Sequence, residues 1–303
     1  MVFDERTRAL AEERIGAFEV LANHRGDSAR TGVIEISAQG QRLFVKIHNR
    51  LNRWNPEVFA YSNWTPRVGA FAPTMVAQFN DGEVFGIVTT ALVGRTVNEV
   101  GLRDEEKLLA VYRAAGEVLR AMQSGEDGTF FGTPSAEGGA LDVAPATAAV
   151  AYITNSLQTL FALGSGKELF NDAHERLLTW CLDNCEVFRG DAPMPTNWDY
   201  SPNNWLVDDG GRFTGVIDFE NMLWGLPLDS FGVVVERYTF DKPRLQAAFF
   251  EGYSLPSDAE TEIKMRILRA KVAFADVYTG FVENNARFSE LGNRMLSELT
   301  QDI

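Results

Sequence analysis

The chain has 303 residues, 45% hydrophobic and 23% charged, with a formal net charge of −14 and a pI near 4.7. That length allows one large domain or two lobes with substantial cores, and the composition is that of an ordinary globular protein. The charge argues against a nucleic-acid partner, since no basic stripe is present to meet a phosphate backbone; it suits a cationic small substrate, although acidic surfaces also serve solubility alone.

The N-terminus reads MVFDERTRALAEERI, with no apolar segment and no small-residue cleavage site, and no later stretch approaches a membrane-spanning length. No membrane association and a cytoplasmic location are expected. Residues 4 to 22 set Leu10, Ile15, Phe18 and Leu21 among charges, predicting a short amphipathic helix that leads into a strand. Gly32 to Ile36 and Arg42 to Ile47 predict a hairpin around Ala38-Gln39-Gly40, preceded by the small and polar run Asn23 to Arg30. Phe44-Val45-Lys46-Ile47 is an apolar strand carrying one lysine, which alone would be an edge or solvent-facing charge. Pro56 to Tyr61 begins a helix with Pro56 in its first turn, where Glu57 would suit the helix dipole.

A second hairpin is predicted from Pro73 to Asn80 and Glu83 to Thr90, turning at Asp81-Gly82 and running into Thr90-Ala91-Leu92-Val93-Gly94-Arg95. Arg103 to Ser124 has helical spacing through Leu108, Leu109, Tyr112, Leu119 and Met122, and the five Gly and one Pro of residues 125 to 143 mark a loop. Ala144 to Leu163, Asn171 to Asn184, Leu245 to Tyr253 and Ala259 to Ser297 predict further helices. Cys181 and Cys185 lie one helical turn apart and read as two reduced residues on one face; the scattered His24, His48 and His174 complete no zinc set. Two Trp-rich stretches, around Trp54 and Trp64 and at Trp198 and Trp205, read as core by default. There is no internal repeat, low-complexity tract or linker.

The most informative run is Asn197 to Glu220, NWDYSPNNWLVDDGGRFTGVIDFE. It places Asp199 five residues before Asn204, then Trp205-Leu206-Val207 and Phe213 to Ile217 as strands about an acidic-Gly turn, then Asp218. Phosphoryl transfer needs such groups: one carboxylate for the acceptor hydroxyl, an amide oxygen for one Mg²⁺, and a second carboxylate between metal and phosphates. The hairpin returns Asn204 and Asp218 to the same open end.

This stretch resembles the catalytic segment of the aminoglycoside phosphotransferase and choline kinase-like family, H-G-D-x-x-x-x-N followed by I-D-x-x. Gly225, Pro227 and Asp229 of WGLPLDSFG echo the G-D-P-x-x-D-L that follows in the family. Asn197-Trp198 stands where the family has His-Gly, and Leu226 replaces the Asp of G-D-P; an asparagine can take over the histidine's role as a hydrogen-bonding brace.

The resemblance implies a two-lobed α+β fold of the protein kinase-like kind, with a β-rich N-lobe over residues 1–93 and a helical C-lobe over 94–303. It implies ATP or GTP as phosphate donor and Mg²⁺ held by Asn204 and Asp218, with Asp199 as the catalytic base. Lys46 resembles the lysine of the V-A-I-K strand that pairs the phosphates, Glu57 would reach back to it, and the Thr90, Ala91 and Leu92 backbone would read the nucleobase. Asn23 to Arg30 stands where the phosphate-covering loop belongs, without G-x-G-x-x-G; a plain hairpin loop is the other reading. The implied reaction is phosphorylation of a hydroxyl on a small molecule, first an aminoglycoside or another antibiotic or natural product, with sugars, amino alcohols and nucleosides open. A catalytically inactive nucleotide-binding protein is the alternative of another class. A protein kinase fits less well, because no A-P-E follows Asp218 and Phe219-Glu220 replaces Phe-Gly. Within the segment a rival register exists: Arg189-Gly190-Asp191 mimics H-G-D, but it puts Thr196, a poor Mg²⁺ ligand beside an Asn, at the fifth position.

Overall fold

The computed structural model describes residues 3–24 and 31–301. The run Asn23 to Arg30, considered for the nucleotide phosphates, therefore lies mostly outside the described residues. Helix α1 (Glu5–Ile15) starts where the Asp4 carboxylate accepts from the Thr7 N–H at 2.8 Å, and it stops at Gly16. Five antiparallel strands follow: β1 (Glu19–Asn23), β2 (Thr31–Ala38), β3 (Gln41–His48), and, after helix α2 (Leu51–Asn63) and a 3₁₀ turn over Thr65–Phe71, β4 (Met75–Asn80) and β5 (Phe85–Thr90). Their order in the sheet is β1-β2-β3-β5-β4. The β2–β3 hairpin turns at Gln39 and Gly40, both at positive φ (52° and 77°), a reversal whose twist matches that of the strands.

The period of two along β3 decides what each face does. Leu43, Val45 and Ile47 point toward α1 and join Ile34, Ile36, Phe79 and Val88 in a small apolar core. Lys46 and His48 therefore point the other way, toward α2 and the second lobe. On α2 the expected start is corrected: the helix begins at Leu51, so Pro56 lies inside it and Glu57 is beyond its first turn. Pro56 cannot donate to the Asn52 carbonyl, a cost of about 3 kcal/mol in a helix interior. Burial of Trp54, Val58 and Tyr61 along this helix offsets that cost, each large apolar side chain contributing about 1.5–3 kcal/mol.

The chain leaves the five-stranded sheet after Thr90 and crosses at Gly94, where φ is 113° and a Cβ would lie 2.3 Å from the Val207 carbonyl oxygen. Only glycine fits that crossing. Beyond it come β6 (Arg95–Thr96), α3 (Val97–Val100), α4 (Glu105–Met122), α5 (Ala149–Ser165) and α6 (Asp172–Asn184). Then follow β7 (Met194–Asn197), β8 (Trp205–Val207), β9 (Phe213–Val216), β10 (Met222–Gly225) and α7 (Asp229–Val234). Helix α7 widens into a π turn over Val235–Thr239, before α8 (Pro243–Tyr253), α9 (Ala259–Val282) and α10 (Ala286–Leu299).

Residues 259 to 297, expected as one helical run, are two helices. The break comes at Glu283 to Asn285, where Asn284 takes φ 50° and the Asn285 side chain accepts from the Phe288 N–H to start α10.

Small sheets β6-β8-β9 and β10-β7 carry the predicted catalytic segment across the face of the helical lobe. Trp64, Trp205, Tyr200, Phe219, Phe231, Phe249 and Phe274 are fully buried and hold that segment onto α4, α8 and α9. Trp54, Trp64 and Trp205 are core, as expected, whereas Trp198 is partly buried at a cavity wall. Cys181 and Cys185 are buried and free. Among the described residues no helix is long and apolar enough to cross a membrane. The architecture is the expected α+β arrangement, a β-rich lobe facing a larger helical one.

Candidate active site

Between the lobes, the Lys46 ammonium sits among three carboxylates. Its Nζ lies 2.9 Å from Glu57 Oε2, 2.6 Å from Asp218 Oδ1 and 3.0 Å from Glu220 Oε2. Burial works against the ammonium, but Asp218, Glu57 and Glu220 together outweigh it and hold Lys46 well above its usual value. Burial likewise opposes the charge on Glu57, and Lys46 with His48 reverses the balance, keeping that carboxyl below its usual range. The lysine–glutamate pair expected from the sequence is therefore formed, with two further acids on the same cation.

His48, two residues along the same face of β3, is fully buried. Its Nε2 comes within 2.8 Å of Glu57 Oε2, poorly aligned for an N–H···O bond, and its Nδ1 within 3.7 Å of Glu220 Oε2. His48, Glu57 and Glu220 have the mutual spacing of a cation site, and the Lys46 ammonium pairs with Glu57 and Glu220 there. Glu220 also accepts from Thr31 Oγ1 at 3.1 Å and faces Arg53 at 3.6 Å, which ties the two lobes together at this point.

Strand β7 delivers Asn197 to the start of the loop that bears Asp199. Asn197 is buried, and its backbone is clamped by Ser230: the Asn197 N–H donates to Ser230 Oγ at 3.1 Å, and that hydroxyl donates to the Asn197 carbonyl at 3.2 Å. The side-chain amide then braces both aspartates. Oδ1 accepts from the Asp199 N–H at 2.8 Å, and Nδ2 donates to the Asp218 carbonyl at 3.2 Å. Farther along the loop, Asn204 Nδ2 donates to the Asp199 carbonyl at 2.8 Å, which leaves Asn204 Oδ1 as the amide's acceptor atom. The Ile217 N–H donates to the Asn204 carbonyl at 2.9 Å and closes the hairpin end beside Asp218. Tyr200 Oη donates to the Ala115 carbonyl at 2.7 Å and pins the loop to α4.

Asp218 holds φ 67°, a left-handed conformation uncommon outside glycine and asparagine, where the surrounding bonds must over-determine the backbone. It commits Oδ1 to Lys46; among the described residues Oδ2 has no hydrogen-bond partner. Burial, and then the neighbouring Asp218 charge, push the Asp199 carboxyl up to about 6. Three acids against one lysine, a spare carboxylate oxygen and an oriented amide oxygen make a hard-oxygen donor set of the type Mg²⁺ takes. Asn204 and Asp218 fit that ion.

The rival register comes apart in space. Asp191 pairs with Lys264 of α9 at 2.8 Å, and Thr196 is fully buried with its hydroxyl bonded to the Leu226 carbonyl at 3.2 Å. Thr90 and Ala91 spend their N–H groups on the Thr74 and Arg42 carbonyls, at 2.9 and 3.4 Å. Of the three expected nucleobase-reading residues, Leu92 is the one whose N–H makes no backbone bond among the described residues.

Sequence reasoning missed Glu220, His48, Ser230 and Lys271. His48 was accessible, since period two puts it on the Lys46 face. Lys271 had no signal of its own, being one of several charges along α9. It pairs with Asp229 at 2.6 Å, with the Tyr152 and Trp198 rings 4.6 and 4.7 Å from its Nζ. Asp229 also accepts from the Leu226 N–H at 2.9 Å, an approach that Gly225 permits because a Cβ there would lie 2.8 Å from the same carboxylate oxygen. The buried pair thus fastens the G-x-P-x-D run Gly225 to Asp229 beneath the catalytic loop.

Residues 20–266 match the family model described as the phosphotransferase enzyme family. No curated protein matches the chain. Among solved structures, a thermostable mutant of aminoglycoside phosphotransferase APH(4)-Ia in ternary complex with AMP-PNP and hygromycin B is 16% identical, with TM-score 0.73 and 97% of each chain covered. The gentamicin complex of APH(2")-IIa is 15% identical at TM-score 0.60, covering 98% of this chain and 97% of that one. The GDP complex of aminoglycoside 2'-phosphotransferase-IIIa is 14% identical at TM-score 0.67, with 98% of each chain covered. These structures share the fold, and the family match spans both lobes and the whole catalytic segment; the chain belongs to the phosphotransferase enzyme family and is a small-molecule kinase.

Proposed function

We propose that this protein transfers the γ-phosphate of ATP or GTP to a hydroxyl group of a small molecule in a Mg²⁺-dependent reaction. The observation that carries this reading is the Asn197 side chain, which bonds at once to the backbones of Asp199 and Asp218 and so fixes the spacing of base and metal ligand. In this reading Asp199 accepts the acceptor's proton as the hydroxyl oxygen bonds to the γ-phosphorus. The bond from that phosphorus to the β,γ-bridging oxygen breaks, and the nucleoside diphosphate leaves. A carboxyl near 6 is largely ionised at neutral pH yet basic enough to take a proton, which suits a general base. Asn204 Oδ1 and Asp218 Oδ2 would hold the metal, which when bound neutralises charge on the phosphoryl oxygens. Lys46, positioned by Glu57, would pair the phosphates, and Leu92 with its neighbours would face the nucleobase. The lobes divide at the Val93–Gly94 crossing.

The acceptor is a small molecule carrying a hydroxyl. Matched structures hold hygromycin B and gentamicin, which keeps aminoglycosides in the class beside other natural products, sugars, amino alcohols and nucleosides. The test is nucleoside diphosphate release across such a panel with native enzyme, D199A and D191A. D199A should abolish turnover while still binding AMP-PNP·Mg²⁺, and D191A should keep most of it. Turnover by D199A at the native rate would refute the assignment of the base; nucleotide binding with no turnover of any acceptor would favour the inactive nucleotide-binding protein.

A further inference from the structure

A cavity of about 410 Å³ lies beside the catalytic loop, with Pro202 in its wall and Arg237, Lys242, Arg287 and Arg294 around it. Asp241 is the one acid in that lining. The cavity is joined to the catalytic loop: the Asn203 side chain donates to Tyr238 Oη at 3.0 Å, and Tyr238 and Pro202 both line the cavity. Asp276 answers Arg237 with Oδ2 at 3.1 Å from Nε. Among the described residues Lys242, Arg287 and Arg294 enter no ion pair, so two acids face four cations. First-turn residues of α8 and α10 also line the cavity, and the amino ends of helices favour negative charge. A chain of net charge −14 has gathered positive charge at this place.

The second cavity touching the loop, about 460 Å³ and walled by Trp198, is balanced: Arg53 faces Glu220, and Lys271 is paired with Asp229. The cavity of about 950 Å³, with Glu251, Glu262 and Glu298 beside Arg266 and Arg269, contains no catalytic-loop residue. A polycation docking in the cavity beside Pro202 would meet Lys242, Arg287 and Arg294, like charges without an ion-pair partner among the described residues, each a desolvation and repulsion cost.

We propose that the acceptor carries an anionic group, a carboxylate or phosphate ester, which Arg287 and Arg294 engage while a hydroxyl of the same molecule faces Asp199. This rests on the phosphotransfer reading above and narrows its acceptor class away from polycations.

The test measures binding of glucuronate, glucose, glucosamine and hygromycin B by calorimetry to the full chain saturated with AMP-PNP and Mg²⁺. The three sugars share one ring and differ in charge. Glucuronate should bind at least tenfold more tightly than glucosamine or hygromycin B. R287E/R294E should lose at least tenfold of that affinity and R287Q a smaller part. Both variants should still melt cooperatively and retain AMP-PNP·Mg²⁺ affinity, since neither side chain reaches the nucleotide network. Glucosamine or hygromycin B binding as tightly as glucuronate, an unchanged affinity in R287E/R294E, or no measurable glucuronate binding would overturn the anionic assignment. Loss of AMP-PNP·Mg²⁺ binding by native protein would instead count against the phosphotransfer reading, so the two failures are distinguishable.

Discussion

Replacing Asn197 by alanine tests the brace on which the catalytic geometry depends. The substitution removes two hydrogen bonds, one accepted from the Asp199 N–H at 2.8 Å and one donated to the Asp218 carbonyl at 3.2 Å. Both backbone groups lie where water has little access, so each loses a partner worth about 1–1.5 kcal/mol net. The expected destabilisation is about 2–3 kcal/mol, or roughly 3–5 °C in Tm for a chain of this size. The effect on rate should exceed the effect on fold: a catalytic group displaced by about 1 Å costs on the order of 10²-fold in turnover. Differential scanning calorimetry gives the first quantity, and kcat, measured well below the melting range with AMP-PNP·Mg²⁺ affinity as a control, gives the second. N197H restores the residue of the wider family and a ring nitrogen able to hydrogen-bond, so it should recover part of kcat relative to N197A despite crowding a buried site. Native kcat in N197A, or recovery of Tm but not kcat in N197H, would refute the bracing role.

Three further outcomes are expected. D218N keeps the shape of the proposed metal ligand and removes its charge, so turnover should fall by several orders of magnitude, each tenfold being about 1.4 kcal/mol of barrier; Mg²⁺ titration should show a rightward shift. K46A should weaken productive nucleotide positioning, and E57A should do so more mildly, because Asp218 and Glu220 still hold the lysine at 2.6 and 3.0 Å; KM for nucleotide against kcat checks this order. D199N should be more stable than the native protein at pH 7.5. A carboxyl raised from 3.8 to about 6 binds more protons folded than unfolded, so its contribution to stability falls as pH rises through that interval; the gain is at most about 3 kcal/mol and should vanish below about pH 4 in denaturant titrations.

Much of this was legible in the sequence where short-range rules apply. The catalytic segment has fixed local spacing, and the Asp208 to Gly211 turn between β8 and β9 returns Asn204 and Asp218 to one end. Lys46 was found on its strand and Glu57 on its helix. The start of α2 was misplaced because Pro56 was read as a helix opener, and tertiary burial overrode that local rule. The break between α9 and α10 escaped notice because apolar spacing continues through it, although Asn284-Asn285 carried the turn and cap chemistry. The Asp229–Lys271 pair was out of reach, its partners 42 positions apart on elements whose packing no local pattern specifies. The gathering of Lys242, Arg287 and Arg294 was out of reach for the same reason: a net charge of −14 says nothing of where individual cations come together.

The arrangement around Asp199 sets stability against reactivity. Two aspartates are kept close and partly desolvated, one with a raised pKa and the other in a left-handed backbone conformation. Each feature costs free energy in the folded state, on the order of 1–3 kcal/mol apiece. Asn197, Ser230, the Asn204 amide and the Lys46 cluster hold that geometry, and the buried Lys271–Asp229 pair supports it from below. Removing one partner of that pair would strand a charge in the interior, a penalty of about 3–5 kcal/mol, so the support is rigid even if the pair contributes little net stability. A carboxyl raised to about 6, adjacent to a carboxylate with one oxygen free of hydrogen-bond partners among the described residues, is poorly placed for a resting protein. In the proposed reaction a cation and a phosphate chain would arrive together and remove the repulsion that the fold sustains.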